Sequence, residues 1–244
     1  MKAQIEDNLH SGKNLWIFNK DYISEFVYGG IDGAITTFAV VAGAAGADAA
    51  LYWVLIFGFA NLIADGFSMS VGNYFSVKAE RDNYDKHKAI EYWEIEHLRE
   101  KEIEEIREIY EAKGFEGELL DKVVEVIISD KDVWVDTMMK EELEMMKDDK
   151  TPVNTAIATF LSFNVVGIIP LMAYVLAVAF DWSEEHLFLI SCLSTGLALM
   201  IVGFMKSRVT EKSSIKGIFE TLLLGGLAAF LAYYVGEVLA KYFL

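Results

Sequence analysis

The stretch LYWVLIFGFANLIADGFSMSV, residues 51–71, decides the fold class. Its 21 residues match the roughly 20 that carry an α-helix across a hydrocarbon core, and Asp65 is its single charge. An ionised carboxylate at bilayer depth costs roughly 2.5–3.5 kcal/mol, so such a residue normally marks an ion or proton pathway. Met69 stands four residues on, which places a thioether one helical turn from that carboxylate. Sulfur favours transition metals, whereas Mg²⁺ and Ca²⁺ prefer sites made of oxygen alone. Metal transport is therefore the first expectation.

Four further apolar stretches lie outward from this one, at residues 27–47, 157–180, 187–205 and 218–243. With 54% hydrophobic residues and only two prolines in 244, the composition is that of an all-α membrane protein with five transmembrane helices. The first 24 residues are polar and amphipathic, without the continuous apolar core of a signal peptide, so the amino terminus is expected in the cytosol. Lys and Arg set the orientation. Three precede the first span, thirteen lie from Lys78 to Lys150, four from Lys206 to Lys216, and one is Lys241. The turns at Asp48 and at Asp181 to His186 have none, so they face outside, as does the carboxyl terminus. A short chain of this kind suits a prokaryotic plasma membrane, with a vacuolar membrane as the eukaryotic alternative. Cys192, the lone cysteine, offers neither a disulfide framework nor a cysteine metal site.

Three regions follow: residues 1–78 with the first two spans, an acidic cytosolic insert at 79–150, and the last three spans at 151–244. The insert carries 24 acidic and 12 basic residues, or −12 of the chain's formal −16. Neither Gly nor Pro occurs from Val77 to Lys113, which predicts that the second helix continues into the cytosol, with or without a bend. Gly114 and Gly117 mark a turn, and helices are expected at 118–129 and 133–146. Helical phase then separates two sets of glutamates. Glu91, Glu94, Glu102 and Glu105 share a stripe roughly 80° wide with Ile95, Leu98 and Ile109, while Glu96, Glu100, Glu104, Glu108 and Glu111 take the opposite side. Acids on a core-facing side are costly unless paired or bound to a cation. A straight helix separates the two Glu-x-x-Glu pairs by roughly 16 Å, so either the helix breaks or several ions bind. Met138 and Glu142, four apart on a later helix, offer a further thioether and carboxylate, and His97 is a candidate peripheral ligand.

In the membrane, Asp21, Glu25 and Asp32 keep to one face of the first helix, and Asn61, Asp65 and Met69 repeat every four residues on the second. Desolvation favours protonated carboxylates and a bound cation favours ionised ones, so metal entry and proton entry should displace each other. Proton-coupled exchange is the expectation, and a passive channel its uncoupled counterpart.

These residues resemble the vacuolar iron transporter family, also called the yeast Ca²⁺-sensitive cross-complementer type. The likeness rests on Ile31-Asp32-Gly33, Phe38 to Gly43, Ala60 to Met69, Gly72-Asn73-Tyr74, the acidic insert, and Met138 to Leu143. It implies a homodimer of five-span subunits, each with a three-helix cytosolic metal-binding domain, and removal of Fe²⁺, often with Mn²⁺, by proton antiport. It further implies that Asp32 and Met69 belong to the intramembrane pathway, Asp21 and Glu25 to its cytosolic mouth, and Glu91, Glu94, Glu102, Glu105, Met138 and Glu142 to the cytosolic ligands. Asn61 departs from plant-type members, which carry a glutamate there, and Asp65 supplies an acid one turn on. The donors also suit Co²⁺ and Zn²⁺. No catalytic residues and no nucleic-acid partner are expected. The rivals are a membrane-tethered metal sensor and a membrane-bound ferroxidase.

Overall fold

The computed structural model describes residues 22–210 and 212–243. Nine α-helices account for nearly all of them: α1 Ile23–Gly46, α2 Leu51–His97, α3 Arg99–Ala112, α4 Gly117–Ile128, α5 Lys131–Glu141, α6 Pro152–Gly167, α7 Ile169–Phe180, α8 Leu187–Val209 and α9 Ser214–Phe243. Helices α1, α2, α8 and α9 are each long and apolar enough to cross a membrane, and α6 with α7, bent by 53°, is either a fifth, broken span or a re-entrant loop. Among the described residues two compact units form, one from residues 22–75 with 150–243 and the other from residues 76–149.

In the first unit α1 is the central helix, packed against α6, α7, α8 and α9. Its small residues permit the approach: a Cβ on Gly33 would collide with the Phe163 carbonyl oxygen of α6. Polarity runs opposite to that of a water-soluble protein. Outward-facing side chains are large and apolar, including Ile63 and Phe67 on α2 and Leu227 and Phe230 on α9, all more than half exposed. Three inward-facing hydroxyls find backbone carbonyls on neighbouring helices, whereas those of Thr37, Thr155 and Thr195 are buried without a partner. Ser70 donates to Ala156 at 2.9 Å, Ser191 to Pro170 at 2.7 Å and Thr221 to Leu199 at 3.0 Å. Such bonds answer the absence of water in the hydrocarbon layer.

The span expected at 157–180 is not one helix. It breaks at Ile168 with a 53° bend, and Pro170 begins the second part. Proline has no N–H to give the preceding turn and its ring crowds the carbonyl four residues back, so the break follows from the sequence. The Pro170 carbonyl is the one that accepts Ser191, which ties the break to α8.

The second unit has its own core, built on Ile95, Ile106, Val124, Trp134, Val135 and Met138. Gly114 and Gly117, at φ 93° and 56°, make the expected turn. Asp130 caps α5 by accepting the N–H groups of Asp132 and Val133 at 2.9 and 3.3 Å. Helix α5 stops at Glu141, five residues short of the expected Met146, and Glu144 takes a left-handed φ of 52°. The α2 helix breaks once, at Leu98 (φ −122°, ψ 30°), where neither glycine nor proline is present. There the chain reseeds a helix, with the Lys101 N–H bonding back to Leu98 at 2.9 Å. The break places Ile95 and Ile106 in one core, so tertiary packing accounts for what local propensity does not.

Candidate metal centre and membrane carboxylates

The break at Leu98 assembles the acids. Glu91 and Glu94 from the end of α2 and Glu102 from α3 each offer a carboxylate oxygen within 4.8 Å of the others. Opposite ligands of an ion with bonds of about 2.1 Å lie about 4.2 Å apart, so a small contraction closes the group on one cation. Glu91 is 3% exposed and Glu102 1%. In both, Oε2 is buried without a hydrogen-bond partner, a costly arrangement that a bound cation would relieve.

The electrostatics follow from that burial. Desolvation first, then repulsion from Glu142, Glu94 and Glu105, pushes the Glu91 carboxyl up to about 7. Desolvation, then Glu105, Glu91 and Glu94, pushes Glu102 up to about 8. Glu142, the C-cap of α5, is raised by desolvation and by Glu105 and Glu94. Five carboxylates therefore share one field. Lys101, bonded to Glu105 at 2.6 Å, is the cation that opposes it and draws Glu91 and Glu142 back down.

The other glutamates behave differently. Glu96, Glu100, Glu104, Glu108 and Glu111 are exposed, and Glu96 pairs with Lys131. Met138 is fully buried in the core of this unit, one turn before Glu142. His97 stands apart from the three-carboxylate group: its ring stacks on Trp93 with centroids 4.5 Å apart, and Nδ1 lies 2.8 Å from the Trp93 carbonyl.

In the membrane unit, Asp21 lies outside the described residues. Glu25 is held by Lys150, Nζ to Oε1 2.8 Å, and by Ser24, Oγ to Oε2 2.8 Å. Asp32 is half-buried beside Gly33, and Asp65, exposed on α2, is close enough for its charge to act on it. The structure thus brings these two acids from α1 and α2 within electrostatic reach. Asn61 Nδ2 is buried without a partner, and Met69 packs partly buried against the core that contains Phe163. Asn73, which continues the polar series on α2, turns instead to α6 and donates to Thr159 Oγ1 at 2.8 Å. Sequence reasoning missed Lys101 and Lys150. A charge pattern on α2 and α3 could have flagged Lys101, four residues before Glu105, but nothing local links Lys150 to Glu25.

The sequence pattern of the VIT family matches residues 23–237. A vacuolar iron transporter of Toxoplasma gondii is 36% identical over 227 residues, covering 91% of this chain and 75% of its own length. One from Plasmodium falciparum is 35% identical, covering 91% and 83%. Vacuolar iron transporter 1 of Oryza sativa subsp. japonica is 31% identical over 214 residues, covering 87% and 83%. With a match that spans most of its length, four to five candidate membrane crossings and carboxylates in both units, the chain belongs to the VIT family, whose members are transporters rather than enzymes.

Proposed function

We propose that this chain moves Fe²⁺, and Mn²⁺ by the same route, out of the cytosol in exchange for protons, working as a homodimer. The carrying observation is the pair of buried, unpartnered carboxylate oxygens on Glu91 and Glu102, within a three-carboxylate group. The names of the relatives support iron as the cargo.

In this reading residues 76–149 form a cytosolic collecting domain. Glu91, Glu94, Glu102, Glu105 and Glu142 supply hard oxygen donors and Met138 a soft one, a mixture suited to Fe²⁺ or Mn²⁺ and tolerant of Co²⁺ and Zn²⁺. Near neutral pH Glu91 and Glu102 hold protons for part of the time, so an arriving cation releases them. The metal then passes Asp21 and Glu25 and is held in transit by Asp32, Asp65 and Met69, with Asn61 as an amide donor or acceptor beside them. Proton return reprotonates the membrane carboxylates and expels the metal on the far side.

The exposure of Asp65 supports the dimer. This aspartate is exposed on a helix whose neighbouring side chains, Ile63 and Phe67, are 59% and 64% exposed and suited to lipid. A carboxylate on such a face needs cover or a watered path, and a second copy provides both. A metal sensor has no use for Asp32 and Asp65 in the spans, which favours transport over that rival.

The test is flux in proteoliposomes. An imposed pH gradient should drive Fe²⁺ movement, and Asp32→Ala should reduce it to the level of protein-free vesicles. Gradient-independent flux removes the antiport, and intact transport by Asp32→Ala removes the pathway.

A further inference from the structure

Glu25 has no free carboxylate oxygen. Oε1 accepts from Lys150 Nζ at 2.8 Å and Oε2 from Ser24 Oγ at 2.8 Å, while Lys150 Nζ also lies 3.5 Å from Ser24 Oγ. The pair is largely shielded, with the Glu25 side chain 11% exposed and that of Lys150 27%. The backbone around it is fixed from both sides. Ser162 Oγ donates to the Glu25 carbonyl at 3.3 Å. Tyr22 Oη accepts the Thr151 N–H at 3.3 Å and the Asn154 side-chain amide at 3.5 Å, which pins the start of α6 to the start of α1. Lys150 stands two residues before the Pro152 that opens α6, so its Cα has little freedom while its four-carbon stem keeps its own.

We propose that Lys150 is a tethered competitor cation at Glu25, a residue that sets how strongly the membrane mouth takes up a divalent metal. The inference rests on the reading above that Glu25 lies on the metal's route. Each carboxylate oxygen keeps a second lone pair, but a divalent ion at Oε1 would sit beside an ammonium 2.8 Å from that atom, and the repulsion between the two cations ends only when the ammonium leaves. The ammonium can leave, because it is a compact, well-hydrated charge on a flexible stem and already reaches water. It keeps the carboxylate neutralised between metals and yields to an ion of twice its charge. Apparent affinity is then the intrinsic affinity reduced by the fraction of time the site is open. Lysine suits this duty and arginine does not, since a guanidinium would grip the carboxylate through two parallel bonds.

The test uses the full chain in liposomes, with Mn²⁺ alone as the probe at a fixed pH gradient. Lys150→Gln should lower KM about three- to tenfold without raising kcat, as expected when a competitor is removed. Lys150→Arg should raise KM. In a Glu25→Gln background, Lys150→Gln should leave KM where Glu25→Gln alone puts it. A purely structural ion pair would lower kcat or yield in Lys150→Gln while KM stayed put, and Arg would restore the wild type. An unmoved KM in Lys150→Gln, or shifts of one sign for Gln and Arg, overturns the proposal. If Lys150→Gln does not insert, Lys150→Arg decides alone, and a KM that stays or falls ends the idea. Wild-type flux and KM in Glu25→Gln would remove Glu25 from the route and take the broader reading of the mouth with it. An impaired Glu25→Gln beside an unmoved Lys150→Gln removes only the competitor.

Discussion

Buried glutamates are treated in opposite ways in the two units. In the membrane unit the interior hydroxyls of Ser70, Ser191 and Thr221 donate to carbonyls, and Glu25 is held by a lysine and a serine. In the 76–149 unit Glu91 and Glu102 are buried beside other acids, and one oxygen of each has no partner. The first pattern is what any helix bundle in lipid requires, and it says little about function. The second opposes stability, because unpaired carboxylates among apolar residues lose hydration and repel each other. A fold keeps such a cost where something outside the protein removes it.

The double change Glu91→Gln, Glu102→Gln puts the most strain on this contrast. It should weaken Mn²⁺ or Fe²⁺ binding to the full-length protein by about 10- to 100-fold or more. At pH 8 the metal-free variant should melt above the wild type, because the repulsion is gone, and added metal should no longer raise its melting temperature. Calorimetric titration and thermal unfolding with and without Mn²⁺ measure both. A variant that melts lower than wild type and binds metal normally would make these glutamates structural.

A smaller effect concerns pH. Both carboxyls are raised in the fold, from 4.5 to about 7 for Glu91 and to about 8 for Glu102. The folded protein therefore holds more protons than the unfolded chain between pH 4.5 and 8, so metal-free stability should fall as pH rises through that window. Metal must displace those protons. Affinity should thus climb with pH, gaining up to about tenfold per unit for each proton released, and level off above pH 8. Titrations in buffers of different ionisation enthalpy count the protons directly. Affinity that is flat from pH 6 to 8 would contradict the raised carboxyls.

The smallest effect sharpens the role of the opposing cation. Lys101→Met removes the charge that draws Glu91 and Glu142 down. The rise of affinity with pH should move upward by less than about one unit, with affinity at pH 8.5 little changed. The same titration series resolves it, and a downward move would show that Lys101 competes with the metal instead.

Much of this was legible in advance where a local period carries the information. The split between the stripe of Glu91, Glu94, Glu102 and Glu105 and the exposed Glu96, Glu100, Glu104, Glu108 and Glu111 follows from 3.6 residues per turn, and the burial divides the same way. Four of the five apolar stretches could be read as single helices because apolar length alone specifies them. The break in the third had a visible cause in Pro170, outweighed by the length of the apolar run around it. The break at Leu98 had none: the residues from Val77 to Lys113 all favour or tolerate helix, and the turn exists because Ile95 and Ile106 fill the core around Trp134.

The sequence by itself determined that the chain is helical and membrane-embedded, that most of its negative charge lies in one insert, and which acids share a face. These are properties of composition and of one helix at a time. Only the tertiary structure decided that Glu102 comes within reach of Glu91 and Glu94, and that Lys150 meets Glu25 across 125 positions of chain. Each of those meetings depends on how one helix is turned against another or where a helix breaks, and packing fixes such angles cooperatively, through contacts that no single segment encodes.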